Sequence, residues 1–214
     1  MSTGRSETSC SPSPAWSGGS SRAPEETPGD RDDGSRSRLN QDHAPLHVYG
    51  VIDLARAPGL YEHVARLAPQ GSRCLYEGRL DPRVVRVCPH VVELAEHDPL
   101  SDLWRHEGWG RSWGLLMQSR ASLQAVRRRL RHFTQAKLPG GQGPVLFRFW
   151  DPRVFRVYFP LVEPEQLGEW FRDIDAYIVE DEAGAGLTRF SLDGGRLVTQ
   201  AGPRPGPRHG EAPS

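Results

Sequence analysis

Between Val145 and Pro160 the chain reads VLFRFWDPRVFRVYFP, placing Arg148, Asp151 and Arg153 among six aromatic residues. Asp151 followed by Pro152 is a good helix start: the carboxylate accepts from first-turn amides, and proline lacks an N–H that would have no helical partner. Such bonding favours the ionised acid, whereas a general acid or base needs a pKa moved toward the working pH. Three uses of the trio follow. Arg148 or Arg153 pairs with an acid such as Asp151 or Glu163 and fixes a corner. Alternatively, the two guanidinium groups stand exposed and take a partner's carboxylate or backbone carbonyls. The third use is a hydrolase with Asp151, or Glu180, Asp181 and Glu182, as its acids; these last three also read as the solvated end of a strand.

Other candidates are weaker. His43 and His47 are four residues apart but sit beside Pro45, so no helix aligns them, and Cys88 with His90 lacks a second ligand pair. No G-x-S-x-G, P-loop or G-x-G-x-x-G occurs, and PGGQGP (139–144) precedes a strand rather than a helix, so it reads as a plain loop and no cofactor is expected. The arginines at 127, 128, 129 and 131 offer an RNA-binding reading, but without an aromatic platform or net basic charge a solvated helix face is favoured. Trp104, Trp109 and Trp113 in WRHEGWGRSWG suit core packing at a helix-to-strand turn better than stacking on a sugar or base.

The elements that would position these residues alternate in type. HVYGVID (47–53), SRCLYEG (72–78), SWGLLMQ (112–118) and VLFRFW (145–150) read as strands, PHVVEL (89–94) as a short element after the second of them, and AYIVED, LTRFSL and RLVTQ as further strands, the last two joined as a hairpin at Asp193-Gly194-Gly195. Helices are expected at PGLYEHVARLA (58–68), at LSDLWRHEG (100–108), and from a Ser119 cap to Phe133 with Leu123, Val126, Leu130 and Phe133 as its apolar stripe. After Asp151 two short helices follow, one carrying Phe155, Tyr158 and Phe159, the next Leu167, Trp170 and Phe171; their aromatic faces suit anchoring of a partner helix or strand. DPRVVRV at Asp81 echoes DPRVFRV at Asp151. Because the flanks differ, one turn chemistry used twice is favoured over duplication. The pattern predicts an α/β fold, with α+β as the alternative: a mixed-sheet domain with flanking helices and a C-terminal hairpin.

The 214 residues carry 27 basic and 27 acidic side chains, which removes a whole-chain electrostatic case for nucleic acid or an anionic membrane. Residues 1–43 and 201–214 are Ser, Pro, Gly and charge, too apolar-poor to offset the entropy of ordering, and are expected to be disordered tails around a domain at 44–200. Cys10, Cys74 and Cys88 are odd in number and without C-x-x-C spacing, which points away from a disulfide framework and toward a reducing compartment, the cytoplasm by default. The N-terminus has no apolar signal region, and no stretch nears the roughly 20 apolar residues of a membrane span.

Taken in order, YGVID, CLYEG, CPHVVEL, EGWGRSWGLLMQS, ASLQAVRRRLRHF and VLFRFWDPRVFRVYFPLVEPEQLGEWF resemble the type VI secretion effector chaperone or adaptor family over about Val48 to Gln200. The Phe-Arg-Phe-aromatic-Asp-Pro-Arg core is the most specific part. The resemblance implies a non-enzymatic cytosolic protein that binds a cognate effector and assists its loading onto the VgrG spike. It supplies no catalytic residues; its motif positions here are Trp109, Gly110, Trp113, Arg148, Phe149, Asp151, Pro152 and Arg153, expected to define the fold. Many relatives continue into a further helical region, whereas this chain turns Pro/Gly-rich after Gln200.

Overall fold

Seven strands form one sheet in the order β2-β3-β1-β4-β7-β8-β9 in the computed structural model, which describes residues 44–68, 70–137 and 143–205. The N-terminal tail with Cys10, His43 and most of the 139–144 loop lie outside the described residues. The strands are β1 (His47–Asp53), β2 (Ser72–Cys74), β3 (Pro89–Leu94), β4 (Gly114–Ser119), β7 (Ala176–Glu180), β8 (Gly186–Asp193) and β9 (Arg196–Pro203). A separate pair joins β5 (Gln135–Lys137) to β6 (Pro144–Leu146). The helices are α1 (Leu60–Leu67), α2 (Pro82–Val85), α3 (Pro99–Leu103), α4 (Leu123–Arg131), α5 (Pro152–Tyr158) and α6 (Pro164–Trp170).

Strand alternation sends side chains to two separate cores. Tyr49, Val51, Leu115, Met117, Tyr177 and Val179 face α4, α5 and α6, whose Val126, Leu130, Phe155, Leu167 and Trp170, with Phe159 in the turn just after α5, complete the first core. Ile52, Val92 and Leu94 face the other way, against Leu60 and Val64 of α1, Leu100 of α3, and Trp104, Trp109 and Trp113. The sheet is thus covered by helices on both faces. At Gly114 the strands approach so closely that a Cβ would lie 1.7 Å from the Val51 carbonyl oxygen.

The expected α/β class holds. The sheet is antiparallel at every described pairing rather than mixed. Alternating helices and strands do not fix strand direction, because antiparallel neighbours tolerate connections of any length. The hairpin forms as expected: Asp193 pairs with Arg196 across Gly194 and Gly195, whose φ values of 53° and 78° suit a two-residue turn. β9 then runs on to Pro203, three residues past the expected tail boundary.

Four local expectations need correction. VLFRFW is a strand only to Leu146, because the Phe147 amide donates to Thr134 O (2.9 Å) and Asp151 N turns back to Arg148 O (3.0 Å). Alternation then ends, with Phe149 and Trp150 both buried in the first core. Helix α4 starts from Ser122, whose hydroxyl accepts from Ala125 N (3.4 Å); Ser119 instead closes β4 and donates to Asp173 O. The 100–108 helix is α3, capped by Asp98, followed by a wider turn over Trp104–Gly108. Pairing of the 72–78 segment stops at Cys74. No helix among the described residues is long and apolar enough to cross a membrane.

Candidate functional site

The sharp turn after Trp150 is set by Asp151. Its carboxylate accepts from the Arg153 amide (3.0 Å) and also takes the Arg153 guanidinium through two bonds, Nε to Oδ1 (2.9 Å) and Nη2 to Oδ2 (2.6 Å). The partners differ in exposure: the Asp151 side chain is 5% exposed and that of Arg153 55%. Burial pushes the Asp151 pKa up, but hydrogen bonds from Arg153 and the charges of Arg153 and Arg148 outweigh it, leaving the acid below its usual range. That direction opposes service as a general acid.

Arg148 follows the same plan with an acid that sequence reasoning missed. It pairs with Asp53 at the end of β1, 95 residues away, with side-chain exposures of 44% and 5%. Asp53 also accepts from Trp150 Nε1 (3.3 Å) and from Ala55 N (3.1 Å), while its own amide donates to Trp113 O (2.7 Å). Two guanidinium groups thus stand in solvent, each held from behind by a buried carboxylate. The only signal for Asp53 was an acid ending an apolar strand; Glu163, proposed as an acceptor, caps α6 without a side-chain bond.

Glu180 lies buried in β7 rather than in a solvated turn. It accepts from Gly110 N (2.6 Å), Ser112 N (3.0 Å) and Ser112 Oγ (3.3 Å), fixing the loop that carries Trp109 and Trp113. Those three donors explain how Ser112 is held at a φ of 54°. A Cβ on Gly184 would lie 2.7 Å from the Gly110 Cα, so the two loops touch through glycines. Arg156 closes the arrangement by donating to Glu180 O (2.8 Å), and Asp181 accepts from Ala185 N (2.9 Å). The 109–113 loop, the end of β1, the 148–153 corner and the end of β7 therefore form one bonded unit.

The aromatic residues expected as anchors divide. Phe155, Phe159 and Trp170 are buried, which removes them from any docking surface, and Tyr158 is half-buried against Phe147 at a ring separation of 4.7 Å; Trp109 and Trp113 pack in the second core, the place expected of them. Solvent instead meets Val157 (71%) and Leu161 (73%). With Arg153 they lie four residues apart along the helical run 152–161 and share its outer face.

The basic helix is not a free stripe. Arg127 donates to Cys74 O (2.6 Å) and Tyr76 O (3.4 Å), Arg129 bonds Glu169 (2.8 Å) and Asp173 (3.4 Å), and Arg131 pairs with Glu77. Neither the solvated-face nor the RNA reading fits those three, and Arg128 alone of the four is exposed. His47 bonds Glu93 (2.7 Å). Cys88 and His90 do have a third neighbour, Cys74: the potential ligand atoms of the three lie within 4.8 Å of one another.

A family model described as a domain of unknown function, DUF4123, matches residues 48–169, from β1 through nearly all of α6. No curated protein and no solved structure matches the chain.

Proposed function

Because this chain belongs to the DUF4123 family, associated with type VI secretion effectors and generally with adaptor or chaperone roles, we propose that it is a non-enzymatic adaptor. It binds a cognate effector and assists its loading onto the VgrG spike. The carrying observation is the outer face of the corner, where Arg153, Val157 and Leu161 line up beside Arg148. Arginines already clamped by buried carboxylates lose little side-chain freedom on binding, and both side chains are exposed. The two apolar residues supply surface that gains from leaving water. Together they suit an effector segment that presents a carboxylate or backbone carbonyls next to an apolar side chain, docked as a helix or strand.

An adaptor that binds an exposed effector segment stabilises it by mass action. Co-expression with the product of an adjacent effector-like reading frame is the test. The effector's soluble yield rises several-fold and the two proteins elute together; VgrG is then retained on the effector–adaptor complex more strongly than on the adaptor alone. Unchanged effector yield and separate elution would reject the adaptor reading.

The hydrolase reading has less support. Asp151 is bonded on both oxygens and held low, and Glu180 serves three donors from one loop.

A further inference from the structure

Cys74 ends β2 and Cys88 immediately precedes β3, and these strands pair with Cys74 opposite His90. That register puts the two sulfurs on the same face of the ladder, 2.7 Å apart. The Cys88 thiol is buried, whereas Cys74 is only partly buried and lies on the edge strand β2. Their environment is polar. Tyr76 N donates to Cys74 Sγ (3.3 Å), and Cys88 Sγ is 3.4 Å from Val85 O. His90 packs beside the pair, with Nε2 3.1 Å from Val85 O and Nδ1 2.9 Å from Ser72 Oγ.

We propose that Cys74 and Cys88 are a thiol–disulfide exchange site, which a small-molecule disulfide of the glutathione class converts to an intramolecular Cys74–Cys88 bond. Cys74 is the attacking sulfur. The hydrogen bond from Cys88 pulls its pKa down against burial, with His90 and the Tyr76 amide adding to the effect, while Cys88 is pushed up by the same bond and by burial. The Cys74 thiolate attacks one sulfur of the small disulfide, forming a mixed disulfide and expelling one thiolate. Cys88 Sγ then attacks the Cys74 sulfur, the Cys74–small-molecule bond breaks, and a second thiolate leaves. The protein loses two electrons and two protons; the small disulfide is reduced to two thiols.

The bond would close the segment from Leu75 to Val87. That segment holds Tyr76, whose ring meets Trp150 edge-on at 6.3 Å, and Glu77, which pairs with Arg131. Oxidation would therefore tether the wall next to the Arg148–Asp53 pair. The sequence hid this possibility, because an odd cysteine count without close spacing argued against any bridge.

A full-length Cys10→Ser variant isolates the pair. After reduction it is incubated with glutathione disulfide, and free thiols, intact mass and a peptide map are measured. The expected result is a fall from two titratable thiols to none, a mass lower by two hydrogens, one peptide pair linking positions 74 and 88, and a Tm raised by roughly 6–12 °C. Dithiothreitol restores both thiols. Persistence of both thiols, a glutathione adduct retained on either cysteine, or a link between two chains would overturn the proposal. So would stoichiometric zinc in the protein as isolated that protects both thiols until a chelator removes it. The peptide map needs no substitution at 74 or 88, so a folding defect cannot mimic a negative result.

Discussion

The chain uses nearly the same seven residues twice, and the two copies end differently. At Asp81-Pro82-Arg83 and at Asp151-Pro152-Arg153 the aspartate caps a helix and accepts from the arginine amide two residues on, at 2.7 and 3.0 Å. There the likeness stops. Helix α2 buries none of its residues, Asp81 is exposed, and Arg86 reaches Glu62 and sits 4.9 Å from the Tyr61 ring. At the equivalent places in α5, Phe155 fills the core, Asp151 is buried under the Arg153 guanidinium, and Arg156 ties the helix to β7. Local sequence specifies the cap; burial by distant elements turns one cap into a charged, supported corner.

Substitutions at matched positions sharpen that contrast. The largest effect is expected in the core: Phe155→Ala costs about 3–5 kcal/mol in denaturant unfolding, against about 1 kcal/mol or less for Val85→Ala. Next comes the cap. Asp151→Ala removes the cap and the buried acceptor of Arg153 and costs about 2–3 kcal/mol, whereas Asp81→Ala costs about 1 kcal/mol. Equal losses at the two aspartates would break the comparison.

A smaller effect isolates charge. Asparagine caps a helix as well as aspartate, so Asp151→Asn keeps the turn and loses the ion pair, a change of about 1 kcal/mol because solvent screens the exposed Arg153. The folded acid lies below its unfolded value, so its contribution is present above about pH 4 and is lost as pH falls through the folded value. The Tm gap between wild type and Asp151→Asn should hold from pH 7 to pH 5 and shrink toward pH 3.

The fold was largely legible where one physical rule acted alone. A mostly apolar run located β1, the glycine pair located the last hairpin, and Asp-Pro located the start of α5. It was less legible where tertiary contacts decided. Phe149 and Trp150 are adjacent yet both enter the same core, which strand alternation does not encode. Aromatic helix faces look alike whether they meet a sheet or a partner, so Phe155, Phe159 and Trp170 could not be assigned to the core beforehand. Asp53 and Glu180 enter the site from the ends of strands far away in sequence, and nothing local marked either one as buried.

Least disturbing to the fold is Val157→Asp with Leu161→Asp, since both side chains are mostly in water and the double variant should unfold within about 0.5 kcal/mol of wild type at each site. Titrating the co-purifying effector into this variant and into wild type by calorimetry tests the outer face of the corner directly. An unchanged Tm with a Kd at least ~100-fold weaker is predicted, the loss of two apolar contacts at the centre of an interface. An unchanged Kd in a folded protein would contradict it.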